Sequence, residues 1–191
     1  MAARSRGSAA SATNASEAKA QADPIDWARH FWRRHDLGDS EEAFIAMSSV
    51  LRIHRLIVEA AESRLRPHKL NLTDYMLLMT LQLSETGTRL ISQLGRNLMV
   101  HPSTATLATD RLEAQALIER TPHPTDRRAI QVSITAKGRT VLAETTDALR
   151  EIAFGLPGSE IDDQNTLIEV LTRLRLAAGD SEAPLKTMRA K

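Results

Sequence analysis

The chain has 191 residues, 42% of them hydrophobic, which suits one domain with appendages and a core of its own. Its formal net charge is +1, so affinity for a polyanion must come from where the charges lie and not from their sum. Because it has no cysteine, no membrane-length apolar stretch and no signal-peptide block, we expect a cytoplasmic protein without disulfides, thiolate metal ligands or membrane contact.

The N-terminal part divides into a tail and a short helix. Residues 1–22 are mostly alanine, serine and small polar residues, a composition that predicts a disordered tail. Asp23 and Pro24 then form a favourable helix start, as N-cap and first helical residue. Half of the chain's six aromatic residues lie between 27 and 32, so this short helix must pack on another element to bury them.

Two further helices are predicted next. From about 41 to 66, apolar positions recur at spacings of three and four, which indicates a helix that ends at Pro67. The positions of this stripe are Phe44, Met47, Leu51, His54, Val58, Ala61 and Leu65. The next segment, NLTDYMLLMTLQLSE, is apolar nearly all round, which predicts a central helix with Thr73 as its N-cap.

A helix-turn-helix pattern follows. Thr88 is a suitable N-cap for a first helix, which breaks at residues 99–100, and Pro102 suits the first position of a second helix. The first helix has the apolar residues Leu90, Ile91, Leu94 and Leu98. The second is expected to bury Leu107, Leu112 and Leu117. Its early turns are expected to expose Ser103, Thr104, Thr106 and Arg111.

A charged hairpin comes after these helices. We predict strands at 117–120 and 127–134 around a turn at 121–126, because apolar residues alternate with polar ones in the return strand. The alternating apolar residues are Ile130, Val132 and Ile134, and the tip carries Asp126, Arg127 and Arg128. Thr135 is expected to cap a helix over 136–154, and a last amphipathic helix is predicted at 160–177.

Positive charge is concentrated on this part of the chain. Residues 88–139 contain eight basic and four acidic side chains, which is typical of a surface that binds duplex nucleic acid. A helix fits the major groove, so the exposed side chains of the second helix, Arg111 included, are candidate DNA contacts. Arginines at the hairpin tip could reach the minor groove or phosphates, with Asp126 pairing with one of them. The sequence therefore predicts a partner in double-stranded DNA.

The same residues resemble the MarR (multiple antibiotic resistance regulator) family, from about 41 to 176. LIERTPHPTDRRAIQVSITAKGRTVL is similar to the family's wing, with its Asp-x-Arg tip and its Thr-x-x-Gly helix start. NLTDYMLLMTL and HPSTATLATDRLEAQAL resemble the helix before the helix-turn-helix and the recognition helix. The resemblance implies that Arg128 enters the minor groove, that Asp126 orients it and that Arg127 faces phosphate. The recognition-helix positions are matched by Ser103, Thr104 and Thr106.

The resemblance implies a mainly α-helical fold. A winged helix-turn-helix DNA-binding domain with a small β-hairpin wing would occupy 67–139, and dimerisation helices would come from 23–66 and 140–178, followed by a flexible tail at 179–191. A two-fold homodimer would bind a pseudo-palindromic operator with half-sites about 34–36 Å apart. The function implied is that of a transcriptional regulator, most often a repressor, without a cofactor. A small-molecule effector, either an aromatic or phenolic acid or an acyl-coenzyme A thioester, would release it from DNA.

Effectors of this family bind between the dimerisation helices and the winged domain. The candidate contacts there are His54, Arg55, Tyr75 and Met79. The alternative is that His54 is a partly buried histidine of the helix stripe and that Tyr75 belongs to the core.

Two residues depart from the family pattern. Ala116 stands where glycine usually closes the recognition helix, and a left-handed cap would cost alanine on the order of 1 kcal/mol, so we expect a different corner. Gly95 stands where alanine is usual, and it would allow closer approach of a neighbouring helix at a cost of roughly 1 kcal/mol in helix propensity.

Other classes of function fit the sequence less well. It lacks the nucleophile-elbow, P-loop, HExxH and dinucleotide-binding motifs, so we expect no enzyme. No histidine pair has i,i+4 spacing, so we expect no metal site. No aromatic residue lies between 76 and 153, which argues against RNA stacking. The remaining alternative is a winged-helix protein-interaction module without specific DNA binding.

Overall fold

The computed structural model of the chain describes residues 23–123, 125 and 129–180. In chain order the elements are α1 (Pro24–Arg34), α2 (Glu41–Leu65), α3 (Leu72–Gln82), β1 (Thr88–Leu90), α4 (Ile91–Asn97), α5 (Pro102–Ala114), β2 (Ile118–Pro122), β3 (Ile130–Ile134), α6 (Ala136–Arg150) and α7 (Ile161–Ala177). Single 3-10 turns follow α2 and α6. The predicted N-terminal tail, Asp126, Arg127, Arg128 and the last eleven residues lie outside the described residues.

The chain divides after Arg55 into two compact units. Within the described ranges, no helix is both long enough and apolar enough to cross a membrane.

In the first unit, α1 begins as the sequence predicts. The Asp23 side chain accepts a hydrogen bond from the backbone N–H of Ile25 at 2.7 Å, and Pro24 is the first helical residue. Trp32 stacks on Phe44 with ring centroids 4.9 Å apart, which joins α1 to the start of α2. No residue of α1 is buried.

Ion pairs add to this junction between α1 and α2. Arg29 and Arg33 both pair with Glu41, and Arg29 also pairs with Glu42. The hydrogen bond from Arg33 lowers the pKa of the Glu41 carboxyl group. Arg33 and Glu42 face solvent whereas Glu41 is half-buried, so we expect each of these pairs to contribute little to stability and mainly to orient α1.

The second unit has one apolar core. A three-stranded antiparallel sheet of order β1-β3-β2 lies beside α3, α4 and α5, and α6 packs on α3. In the sheet Ile118 is opposite Ile134 and Arg120 is opposite Val132. Side chains from all these elements meet in the core, whose fully enclosed members include Leu77, Leu78, Leu81, Leu94, Leu112, Val132 and Leu149. The core thus fixes the positions of α5 and of the two hairpin strands.

The N-terminus of α3 differs from the prediction. Asn71, and not Thr73, is the N-cap, and its side chain accepts a hydrogen bond from the N–H of Asp74 at 2.9 Å. The Asp74 carboxylate in turn accepts from the N–H of Asn71 at 3.2 Å. This reciprocal capping box satisfies two N–H groups at the helix end, which a cap at Thr73 would leave without these partners.

The segment before the helix-turn-helix also differs. Thr88 does not cap a helix but opens β1, which pairs with β3 and places Thr88 opposite Ser133. Their hydroxyl groups are 2.7 Å apart. The first helix, α4, therefore begins at Ile91, and Leu90 belongs to the strand.

The hairpin and the helix that follows it, α6, are close to the prediction, but their ends are shifted. The strands span Ile118–Pro122 and Ile130–Ile134, and of the alternating residues Val132 and Ile134 are buried whereas Ile130 is exposed. Thr135 is the N-cap of α6, as predicted, and accepts from the N–H of Gly138 at 2.9 Å. The helix ends at Arg150, four residues early, because Ala153 and Phe154 have left-handed φ values.

The long apolar stripes are only partly buried. On α2, Ala61 and Leu65 are buried, but Met47, Leu51 and His54 of the same stripe are exposed. No residue of α7 is buried, although it carries Ile161, Leu167, Ile168, Val170, Leu174 and Leu176. Apolar surface of this kind on amphipathic helices usually has a partner.

Candidate nucleic-acid interface

The start of α5 is shaped by its capping residues. His101 is the N-cap, and its Nδ1 accepts from the N–H of Ser103 at 3.3 Å. The Ser103 hydroxyl lies 2.7 Å from the same nitrogen. Pro102 at the first position needs no N–H partner, so the helix begins as the sequence predicts.

The outward face of α5 contains the predicted recognition positions. Ser103 and Thr106 are exposed and Thr104 is half-buried. The Thr106 hydroxyl donates to the carbonyl oxygen of Pro102 at 3.0 Å, so this proton is used within the helix. Leu107 was expected on the buried side, but 58% of it is exposed on this outward face. The buried face consists of Ala105, Ala108, Thr109 and Leu112.

One ion pair fixes α5 to α3. Arg111 donates to Asp74 through Nη2 at 2.7 Å and through Nε at 3.4 Å. Asp74 is 1% exposed and is also part of the capping box with Asn71. A buried carboxylate needs such partners. The guanidinium of Arg111, a predicted DNA contact, is thus engaged in what we call the α3 clamp, the pair of Asp74 and Arg111.

A second group of contacts fixes α5 to the hairpin. Arg120 on β2 donates through Nη2 to the Thr109 hydroxyl at 2.7 Å and to Asp110 at 2.5 Å. Its Nε lies 3.4 Å from a carboxylate oxygen of Glu113. These four residues form the β2 clamp. The sequence contained these charges but gave no signal for either clamp, because the partners come together only in the folded chain.

The corner after α5 is left-handed despite its alanine. Ala116 has φ 57°, so the expected different shape is not found. Its carbonyl oxygen accepts from the Thr135 hydroxyl at 2.9 Å, and Lys137 Nζ donates to the carbonyl of Gln115 at 2.8 Å. These contacts from the start of α6 hold the corner in a conformation that alanine disfavours.

The position of Gly95 on α4 has room for a side chain and does not require glycine. An added Cβ would lie 3.5 Å from the Ala105 Cβ and 3.7 Å from the Val100 carbonyl oxygen, which is ordinary van der Waals contact. The close helix approach predicted for Gly95 is therefore not present.

The wing tip itself is not among the described residues, so the predicted contacts Asp126, Arg127 and Arg128 have no structural account. The strands that lead to it are well paired. Pro122 lies opposite Ile130, and the N–H of His123 donates to the carbonyl oxygen of Ala129 at 3.0 Å. The tip therefore extends from a hairpin that remains paired up to His123.

An open groove of about 510 Å³ lies between α4, α5 and β3. Its apolar lining includes Ile91, Met99, Val100 and Ile130, and its polar lining includes Arg96 and Thr106. This volume is within the range of small-molecule pockets. The groove adjoins the outward face of α5 through Thr106.

The predicted effector contacts lie elsewhere. His54 and Arg55 are exposed on α2. Tyr75 is buried, and its hydroxyl is 3.3 Å from that of Thr146 on α6, while Met79 packs against the core. None of the four lines the groove beside α5. In the part of the chain that the structure describes, no cluster of three histidine or carboxylate side chains could hold a metal.

Comparison with known proteins agrees with this architecture. The sequence model of the MarR family matches residues 70–130. The HTH-type transcriptional regulator TtmR of Methylorubrum extorquens is 29% identical over 129 residues, and the match covers 65% of each chain.

Solved structures extend the likeness. Sco5413, a MarR family transcriptional regulator from Streptomyces coelicolor, is 30% identical, with a TM-score of 0.67 over 73% of this chain and 96% of its own. Sco3205, a MarR family regulator from the same organism that was crystallised in complex with DNA, shares the fold at 23% identity, with a TM-score of 0.66 over 80% of this chain and 97% of its own. The relatives are transcriptional regulators and not enzymes. The chain therefore belongs to the MarR family of transcriptional regulators.

Proposed function

We propose that this chain is a dimeric transcriptional regulator that binds a pseudo-palindromic duplex, acts as a repressor and is released by a small molecule. In this proposal residues 67–139 contact DNA, and 23–66 with 140–178 form the dimer. The observation that carries it is the outward face of α5, a helix of thirteen residues that two clamps hold in place. A fixed helix with an exposed first turn suits the major groove.

Charge supports the same partner. Eight basic and four acidic side chains lie between 88 and 139. Arg111 and Arg120 are engaged in the clamps. Of the arginines predicted to contact DNA, Arg127 and Arg128 at the wing tip therefore remain as the proposed contacts with phosphate and the minor groove. The β2 clamp joins α5 to the strand that leads to this tip. The helix in the major groove and the wing tip would therefore keep a fixed position relative to each other.

The dimer is supported by apolar surface on the terminal helices. Trp27 on α1, Met47 and Leu51 on α2, and Ile168 and Leu174 on α7 are each more than half exposed in the single chain. A second copy of the chain would remove this surface from water, and two copies would present two α5 helices related by a two-fold axis.

Selection from a randomised duplex pool tests the DNA-binding proposal. The wild-type chain should recover a palindrome with half-sites about one helical turn apart. Arg128→Ala should weaken binding to that duplex by about 1–3 kcal/mol. Arg150→Ala, which removes an exposed arginine of α6 that pairs with Asp147, is the matched control and should leave affinity unchanged. Recovery of no motif, with weak binding equal in all three proteins, would favour the protein-interaction module instead.

The effector part of the proposal needs its own experiment. The groove beside α5 combines apolar walls with the guanidinium of Arg96, which suits an aromatic carboxylate. A ligand bound there would cover Thr106 and prevent its contact with DNA. Aromatic carboxylates and acyl-coenzyme A thioesters should be titrated into the protein–duplex complex and followed by fluorescence anisotropy. We expect one class to weaken DNA binding. If neither does while the dimer stays intact, release by these effectors is wrong.

A further inference from the structure

The first two turns of α5 lack the side chains that usually identify bases. Residues 102–109 are Pro, Ser, Thr, Ala, Thr, Leu, Ala and Thr. Bidentate contacts with guanine or adenine require arginine, lysine, asparagine or glutamine. Asp110 and Arg111, the next two residues, are held in the β2 and α3 clamps. Base identity at this helix must therefore come from hydroxyl groups or from apolar contact.

The hydroxyl groups are partly used within the protein. Ser103 Oγ lies 2.7 Å from Nδ1 of His101, and the Thr106 hydroxyl donates to the carbonyl of Pro102. Both hydroxyl groups can still accept a hydrogen bond, but neither side chain has the two hydrogen-bonding groups that a bidentate contact with a base requires. They are therefore weak discriminators between bases.

Leu107 is the largest side chain on the outward face of these turns. It follows Ser103 by four residues, which places the two within about 40° of each other around the helix axis. It is 58% exposed, whereas its neighbour Ala108 is fully buried. An exposed leucine alone needs no explanation, but one on a face that enters the major groove would lose water when the duplex binds.

We propose that Leu107 determines base specificity by packing against the 5-methyl group of a thymine in each half-site. In the major groove, that methyl is the apolar group that distinguishes thymine from the other bases. This inference rests on the proposed function, since it requires α5 to enter the groove. It adds the prediction that each half-site has an obligatory thymine.

Deoxyuridine tests this directly because it differs from thymidine only by the methyl group. In the duplex recovered by selection, each thymine is replaced in turn, together with its symmetry mate, by deoxyuridine. Wild-type protein should lose affinity about fourfold per half-site, and roughly fifteenfold for the pair, at one thymine position and not at the others. Leu107→Ala should bind the thymidine and deoxyuridine duplexes equally well.

Leu83→Ala is the matched control, because Leu83 is 78% exposed at the end of α3 and should leave the preference for thymidine intact. Circular dichroism should show the same melting temperature for Leu107→Ala and wild type, since an exposed side chain contributes little to the core.

If no position is sensitive to deoxyuridine, or if the sensitivity persists in Leu107→Ala, the assignment of Leu107 is wrong while the proposed function stands. If the wild-type chain recovers no motif at all, both are wrong.

Discussion

Two helices of the second unit contain similar numbers of apolar residues but have different surroundings. In α3, Leu77, Leu78 and Leu81 are completely buried by neighbouring helices and the sheet. In α7, which is six residues longer, nothing is buried and Leu174 is 56% exposed. The winged part of the chain, from α3 to α6, thus forms a closed core together with the end of α2, whereas α7 presents an apolar surface that the single chain leaves in water. The number of apolar residues does not distinguish the two helices, whereas the burial of those residues does.

The largest loss of stability in the winged part is expected from a substitution at Gly138. A Cβ there would lie 2.1 Å from the carbonyl oxygen of Leu117, so backbone would have to move. Gly138→Ala should lower the free energy of unfolding by more than about 4 kcal/mol, measured by urea denaturation. Gly95→Ala is the control on a second buried helical glycine, and because its Cβ has room it should raise stability by about 1 kcal/mol. Equal effects of the two changes would contradict this account of the core.

A charge introduced on the apolar surface of α7 should prevent dimer formation without unfolding the protein. Leu174→Glu should raise the dimer dissociation constant at least about a hundredfold in sedimentation equilibrium, because each interface would receive two buried charges. Thr166→Glu adds the same charge to a polar position of the same helix and should leave the dimer intact. A Leu174→Glu protein that remains dimeric at the same concentrations would show that another surface holds the two chains together.

The α3 clamp should contribute more than an exposed ion pair. Asp74→Asn removes the charge from a buried group that accepts from Arg111 and from the N–H of Asn71, and should cost about 1–3 kcal/mol of unfolding free energy. Asp147→Asn breaks the exposed pair with Arg150 and should cost less than about 0.5 kcal/mol. Thermal melts of both variants decide the point, and similar melting temperatures would mean that the clamp adds no more than a surface pair.

The smallest predicted effect concerns the corner after α5. Ala116 has φ 57°, which costs a residue with a Cβ about 1–2 kcal/mol, while glycine adds about 0.4–1 kcal/mol of entropy to the unfolded chain. Ala116→Gly should therefore stabilise the protein by roughly 0.5–1 kcal/mol. Chemical denaturation with unchanged m-value is the measurement. A loss of stability would mean that contacts of the alanine methyl outweigh the strain.

Much of the fold follows from the spacing of apolar residues and from the capping and proline residues that begin the helices. Apolar spacings of three and four identify α2, the Asp-Pro and His-Pro pairs mark the starts of α1 and α5, and Thr135 marks the start of α6. These signals are local, so the sequence contains them in full. The strand β1 was missed because three residues are too few to show alternation, and its identity depends on pairing with β3.

The candidate site was less accessible to sequence reasoning. Leu107 was placed on the buried side together with Leu112, but a separation of five residues puts the two about 140° apart around a helix. The α3 clamp joins residues 37 positions apart, and nothing local indicates such a pair. The helix pattern predicted exposed hydroxyl groups at Ser103, Thr104 and Thr106, of which Thr104 is half-buried. The hydrogen bonds that Ser103 and Thr106 make within the protein became clear only from the structure.

We propose that two copies of the chain bind one duplex, each through α5, and that the apolar terminal helices hold the copies together. Native mass spectrometry of the protein saturated with its selected duplex tests it most directly. We predict a complex of two chains and one duplex for the wild type, and loss of that complex at equal concentration for Leu174→Glu. A saturated complex with one chain per duplex would contradict the account.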